Sequence, residues 1–223
     1  MIGTLKYEHR TGHTMKTALI WGAGGGIGTA IASLLAKDGW QILAAGRHVE
    51  TLTGLVSSVY NVDVGDAFSV QAAVSSISQQ ASEVDLWVYA AGDITSMKIN
   101  KMSPIEWQRI LQANLGGPYL TTHYSWPLLT EQSHLFYMGA VSERLRLPGL
   151  AAYAAAKAGL EAFAETVRKE SRCKVTVIRP VAVDTGFWQK VPFRLPAHPL
   201  KPDEVAARIF QAYEEGKQGL LDL

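Results

Sequence analysis

The stretch Met15-Lys16-Thr17-Ala18-Leu19-Ile20-Trp21-Gly22-Ala23-Gly24-Gly25-Gly26-Ile27-Gly28 decides how the rest of the chain is read. The short, largely apolar run from Met15 to Trp21 reads as a buried first β-strand. Five glycines crowd the next seven positions, and an apolar, alanine-rich helix is expected from about Ile27 to Lys37. Strand, glycine turn and helix together form a phosphate cradle. Glycines let backbone approach a pyrophosphate closely, and the helix N-terminus brings unpaired N–H groups with a partial positive charge. Glycines also make plain turns, but here the strand before and the helix after supply the context that a dinucleotide site requires. The candidate cradle is Gly22, Gly24, Gly26, Ile27 and Gly28.

Working outward, Gln41-Ile42-Leu43-Ala44-Ala45 reads as the second strand and runs into Gly46-Arg47-His48. This point lies about twenty residues past the glycine turn, where the ribose of a dinucleotide is read. An acid there would bond the 2′-OH of NAD, whereas an arginine can pair with the 2′-phosphate of NADP. The chain has Arg47 and no acid, which favours NADP over NAD; a solvated loop arginine is the plainer reading. A short helix is expected from about Val49, a third strand over residues 59–64 and helical spacing over 66–80. The apolar run at 84–89 reads as a fourth strand.

Composition narrows the class. A chain of 223 residues, 48% hydrophobic and 18% charged, has material for one sizeable core, so residues 15–223 are expected to form one domain. A net charge of +1 offers no broad electrostatic footprint for nucleic acid or an anionic membrane, which points to small-molecule partners or other subunits. No apolar run approaches the ~18 residues that span a bilayer. Cys173, the one cysteine, cannot form an intrachain disulfide, and a reducing cytoplasm fits best. Residues 1–14, MIGTLKYEHRTGHT, are polar and partly basic and read as a flexible arm, with Met15 as a second candidate start of translation.

Further along, Tyr153-Ala154-Ala155-Ala156-Lys157 sets a phenol and an ammonium four residues apart, on one face of a helix. A fixed positive charge beside a phenol lowers its pKa from ~10, so Tyr153 could exchange a proton near neutrality. Taken alone, such a pair is more often a helix face with a snorkelling lysine.

Two distant motifs in the right order change that weighting. The spacing Gly22-x-x-x-Gly26-x-Gly28 resembles the cofactor fingerprint of the short-chain dehydrogenase/reductase family, and Tyr153-x-x-x-Lys157 resembles its catalytic motif. The resemblance runs from about Lys16 to the C-terminus. It implies an α/β fold, a Rossmann-type doubly wound parallel β-sheet with helices on both faces. It also implies hydride transfer between a nicotinamide cofactor, NADPH favoured, and a carbonyl or alcohol substrate. In that picture Tyr153 handles the proton, while Lys157 lowers its pKa and holds the nicotinamide ribose. Asn114, in Ala113-Asn114-Leu115-Gly116-Gly117, matches the position that kinks its helix and holds a relay water. A mid-helix asparagine beside a glycine pair is odd on its own account, because both weaken a helix. Asp63 and Val64 match the adenine contact, although an aspartate at a strand end is often a helix cap. Ala91 and Gly92 match half of the family's Asn-Asn-Ala-Gly turn. Val183 and Thr185, in Pro180-Val181-Ala182-Val183-Asp184-Thr185, match the segment that meets the nicotinamide amide.

The chief departure is a serine. The family sets one thirteen residues ahead of its tyrosine to bond the substrate oxygen, and counting back from Tyr153 gives Ala140. Ser142, two residues later, is the candidate replacement if the loop is reshaped, or else a turn serine bonding backbone. With Ala90 and Val181, Ala140 also leaves open a catalytically weak nucleotide-binding regulator or interaction protein. Phe187, Trp188, Val191, Phe193 and Leu195, broken by Pro192 and Pro196, read as a substrate lid. A helix over 202–215 and a very short last strand close the chain, leaving homodimer, higher homo-oligomer and monomer open.

Overall fold

In the computed structural model, which describes residues 15–223, seven strands form one sheet. They are β1 (Thr17–Trp21), β2 (Gln41–Gly46), β3 (Ser58–Asn61), β4 (Leu86–Tyr89), β5 (His134–Met138), β6 (Lys174–Arg179) and β7 (Gly219–Asp222). All six pairings are parallel, in the order β3-β2-β1-β4-β5-β6-β7. The order reverses between β1 and β4, which is where open sheets of this kind bind ligands, beyond the carboxyl ends of the strands.

Alternation along β1 explains why its sequence is apolar throughout. Ala18 and Ile20 pack into one core with Ile31 and Leu35 of α1 (Gly26–Lys37) and Val205 and Ile209 of α6 (Pro202–Glu214). Leu19 and Trp21 point the other way, into a second core with Val70 and Val74 of α2 (Ala67–Ile77) and Leu160 and Ala164 of α5 (Ala151–Glu170). Helices thus cover both faces, and the sheet is doubly wound as expected. Arg179 secures the edge: its guanidinium donates to both carboxylate oxygens of Asp222, at 2.6 and 2.9 Å.

Several boundaries differ from expectation, each for a local reason. The segment after Val49 is a single 3-10 turn, Glu50–Leu52, because Gly54 reverses the chain at φ +86°. β3 stops at Asn61, short of Val64, where the Asp63 carboxylate accepts the Gly65 N–H at 2.9 Å and turns the chain. Asp66, not Asp63, caps α2 by accepting the Phe68 N–H at 2.9 Å. Asp85 stays outside β4, its carboxylate accepting the Thr17 N–H at 2.7 Å. The expected arm at 1–14 lies outside the described residues. Cys173 is buried, and among the described residues no helix is long and apolar enough to cross a membrane.

Candidate active site

The glycine turn sits at the sheet reversal, held by Gly22 and Ala23 N–H groups that both donate to the Ala45 carbonyl at the end of β2. Gly22 has φ +83°, which side chains other than glycine adopt with strain. A methyl group on Gly22 would strike the Ala91 backbone, one on Gly24 the His48 carbonyl, and one on Gly28 the Gly22 carbonyl. Backbone therefore closes around the turn on three sides. That places Arg47-His48 beside Gly24, and Ala91-Gly92 beside Gly22. Thr185 completes the rim, since a methyl on Gly26 would lie 2.8 Å from its Cγ2.

From Gly92 the contacts lead to the proton-handling groups. A methyl there would stand 3.0 Å from Asn114 Oδ1 and 3.9 Å from Phe187 Cε2. The Phe187 ring packs against Tyr153, with centroids 5.9 Å apart. The buried stripe of α5 includes Tyr153, Ala156, Lys157, Leu160 and Ala164, so helical spacing turns phenol and ammonium together toward the sheet. Lys157 Nζ lies 5.5 Å from the Tyr153 ring centroid and donates to the Met138 carbonyl at 2.7 Å, where β5 ends.

Asn114 lies in a π-helical turn, Gln112–Gly116, between α3 (Pro104–Leu111) and α4 (Gly117–Ser125). The wider register has a cause in sequence. Pro118, four residues on, has no N–H to give the Asn114 carbonyl, and the Asn114 Nδ2 itself donates to the Ile110 carbonyl at 2.9 Å. Nδ2 also donates to the Asp93 carbonyl at 2.6 Å, and two carbonyl acceptors at one end fix the orientation of the amide. Oδ1 is buried with no hydrogen-bond partner and faces Gly92. Gly159 on α5 admits the turn closely: a methyl there would lie 3.1 Å from Leu115 Cδ2.

The electrostatics depart from the expectation of a depressed phenol. Burial pushes the Tyr153 pKa up and pushes the Lys157 amine down to about 8. Desolvation disfavours the charged form of each, and Lys157 is committed to the Met138 carbonyl.

The remaining residues fall around this centre. Ser142 is buried and opens a 3-10 turn, Ser142–Leu145, just past Ala140, which is also buried. Among the described residues no hydrogen bond joins the Ser142 hydroxyl to Tyr153 or Lys157. Asp63 is engaged in its own turn, with Val64 next to it. Val183 is buried, its carbonyl taken by Trp188 Nε1 at 2.9 Å, and the Thr185 hydroxyl accepts the Phe187 N–H at 3.4 Å. Of the residues read as a lid, Phe187 and Trp188 lie in a 3-10 turn, Gly186–Lys190, and Phe187, Val191 and Phe193 pack against the cluster that holds Tyr153.

Sequence reasoning missed Asp93. It is buried directly after Gly92, and its carboxylate meets Arg109 of α3 and Lys190 of the lid, the latter at 2.8 Å. The only signal for it in the chain is an acid immediately following the Ala91-Gly92 turn.

Comparison with known proteins agrees with this geometry. Residues 16–194 match the family described as short chain dehydrogenase. The chain is 31% identical over 186 residues to an uncharacterized oxidoreductase of Staphylococcus aureus (strain USA300), covering 78% of this chain and 80% of that protein. It is 27% identical over 222 residues to an acetoacetyl-CoA reductase of Allochromatium vinosum, covering 87% and 89%. The structure superposes on an alcohol dehydrogenase from the archaeon Thermococcus sibiricus complexed with 5-hydroxy-NADP. The TM-score is 0.86 at 26% identity, covering 94% of this chain and 96% of that one. Fold, site and relatives together show that this chain belongs to the short-chain dehydrogenase/reductase family of oxidoreductases.

Proposed function

We propose that this protein is an NADP-dependent reductase or alcohol dehydrogenase acting on a small carbonyl or alcohol, in the cytoplasm. The observation that carries the reading is one set of neighbouring groups at the carboxyl edge of the sheet, from the glycine turn to Gly92 with Asn114 beside it, and through Phe187 to Tyr153 and Lys157.

The residues present fit a dinucleotide. Gly22, Gly24 and Gly28 leave no room for a side chain against neighbouring backbone, so the turn stays bare and tight, and α1 begins there with no acidic residue in its first turn. Gly22, Gly24, Gly26, Ile27 and Gly28 would hold the pyrophosphate, and Asp63 and Val64 with Ala91 and Gly92 would flank the adenosine half. Arg47, beside the turn, would pair with a 2′-phosphate. The alcohol dehydrogenase of Thermococcus sibiricus is complexed with 5-hydroxy-NADP, which supports the same choice. Val183, its carbonyl already engaged, would offer its N–H to the carboxamide, and Thr185 its hydroxyl. A bound nicotinamide supplies or accepts the hydride.

The chain's own residues handle the proton. Tyr153, kept protonated by burial, donates from Oη to the substrate oxygen in the reducing direction. Lys157, partly neutral near pH 8, accepts and returns a proton at Nζ and orients the nicotinamide ribose. Asn114 Oδ1, buried and facing Gly92, provides the acceptor that a relay water needs. Ser142 is the proposed second donor to the substrate oxygen. Phe187 excludes water from the phenol.

The test is turnover with a panel of aldehydes and ketones after NADPH binding has been measured. Tyr153→Phe removes only the hydroxyl and should abolish turnover while leaving cofactor affinity nearly unchanged. Firm NADPH binding with no turnover on any substrate would favour a nucleotide-binding regulator instead.

A further inference from the structure

Asp93 stands where three elements meet, and its two functional ends point to different parts of the site. Its carbonyl accepts the Asn114 amide at 2.6 Å and so helps fix the π-turn. Its side chain is buried, with Oδ1 accepting the Ile94 N–H at 2.9 Å and the Lys190 ammonium at 2.8 Å, while Oδ2 meets the Arg109 guanidinium. Arg109 and Lys190 are half exposed, so one buried carboxylate anchors two cations reaching inward from the rim. Lys190 is the last residue of the lid turn that begins at Gly186 and presses Phe187 onto Tyr153. At its other end the lid is anchored by the Val183–Leu200 bridge and the Trp188 bond to Val183. On the far side, where Val191 and Phe193 pack against Ile94, Ile110 and Leu150, the Asp93–Lys190 pair adds a charged tie.

We propose that Asp93 is a positioning residue that latches the lid: its carboxylate ties Lys190 to Arg109 across the mouth of the site, while its carbonyl holds Asn114 in register. One buried residue then sets both the closure of Phe187 over Tyr153 and the placement of the Asn114 amide. Charge balance makes the latch sensitive. Burial and the positive charges of Arg47 and Arg109 lower the Lys190 pKa from its ordinary value, and the Asp93 carboxylate stands 2.8 Å from its ammonium. Removing that carboxylate leaves the cations facing one another, so Lys190 is expelled toward solvent and the lid loosens. The kinetic consequence rests on the oxidoreductase reading above; the latch itself does not.

Hydrogen exchange of the lid peptide at 184–195, measured without cofactor and compared with a peptide from α5, tests the latch directly. Asp93→Asn keeps the size of the side chain and the carbonyl bond to Asn114, and should speed lid exchange about tenfold while leaving α5 unchanged. Lys190→Met, at a half-exposed position that folding tolerates, should do the same. Lys190→Arg, which can still reach a carboxylate, should restore most of the protection. The double variant Asp93→Asn/Lys190→Met should be no faster than the faster single, because both remove one interaction. In turnover, KM for the carbonyl substrate should rise several-fold more than kcat falls. Parent-like lid exchange in Lys190→Met, additive acceleration in the double variant, or loss of protection in α5 as well as the lid would each overturn the proposal.

Discussion

Burying Lys157 costs stability wherever its amine must stay charged, and the cost has a pH signature. Burial pushes its pKa to about 8 from an ordinary 10.5. Between those values the unfolded chain binds a proton that the folded chain has released, so stability rises with pH across the window. The full gap corresponds to roughly 3 kcal/mol, about 2 of which falls between pH 7 and 9.5. Lys157→Met removes the titration while keeping most of the volume. The variant's unfolding free energy minus that of the parent should therefore fall by about 2 kcal/mol between pH 7 and 9.5, as the parent gains on the variant. Loss of the bond to Met138 shifts that difference by about 1–3 kcal/mol at both pH values and leaves its change intact. Tyr153 acts higher up: with its folded pKa raised, the unfolded phenol ionises first above pH ~10 and stability falls there. Urea unfolding of both proteins at the two pH values, followed by circular dichroism, measures the quantity. A difference that stays flat would refute the buried, easily deprotonated lysine. One that widens with pH would mean that an anionic partner raises its pKa.

Three other predictions concern the cofactor and the substrate oxygen. NADPH should bind more tightly than NADH, and Arg47→Ala should shrink that gap; equal affinities in the parent would sink the NADP assignment. Gly24→Ala drives a methyl into the His48 carbonyl, backbone that has little room to yield, and should weaken nucleotide binding by tenfold or more. Gly186→Ala meets nothing within 4 Å, so parent-like binding there and lost binding at Gly24 is the expected contrast by calorimetry. If Ser142 bonds the substrate oxygen, Ser142→Ala should slow single-turnover chemistry by ~10²–10³ and Ala140→Ser should help little. A silent Ser142→Ala with raised turnover in Ala140→Ser would give that role to the position the family uses.

The sheet was legible because its strands are buried on both faces and read as unbroken apolar runs, with β1 the clearest. Their ends were less so, because side chains that act on backbone decide them. Asp63 looks like a strand residue in a one-dimensional pattern, yet it spends its carboxylate on the Gly65 N–H two residues on and turns the chain. The phenol and ammonium were found by spacing, but their titration was not. Spacing reveals how near two charges lie, whereas desolvation depends on what the rest of the chain packs around them. Asp93 escaped for the same reason: Lys190 lies 97 residues away, and nothing local marks that acid as buried.

Three residues that disfavour folding also assemble the site. A Rossmann-type sheet has no structural need for a buried lysine, a buried aspartate between two cations, or a π-turn holding an amide oxygen without a partner. Each disfavours folding by a separate route, through desolvation, charge burial and an unsatisfied acceptor. Scattered over the molecule, they would be independent flaws. They instead gather at the carboxyl edge beside the reversal of strand order, joined through Gly92, Asn114 and Phe187 within a few ångströms. Strain that collects at one place is a mark of function independent of any motif. It also explains why Ala140 need not mean lost activity: a chain that had abandoned chemistry would have little reason to keep Lys157, Asp93 and Asn114 buried together.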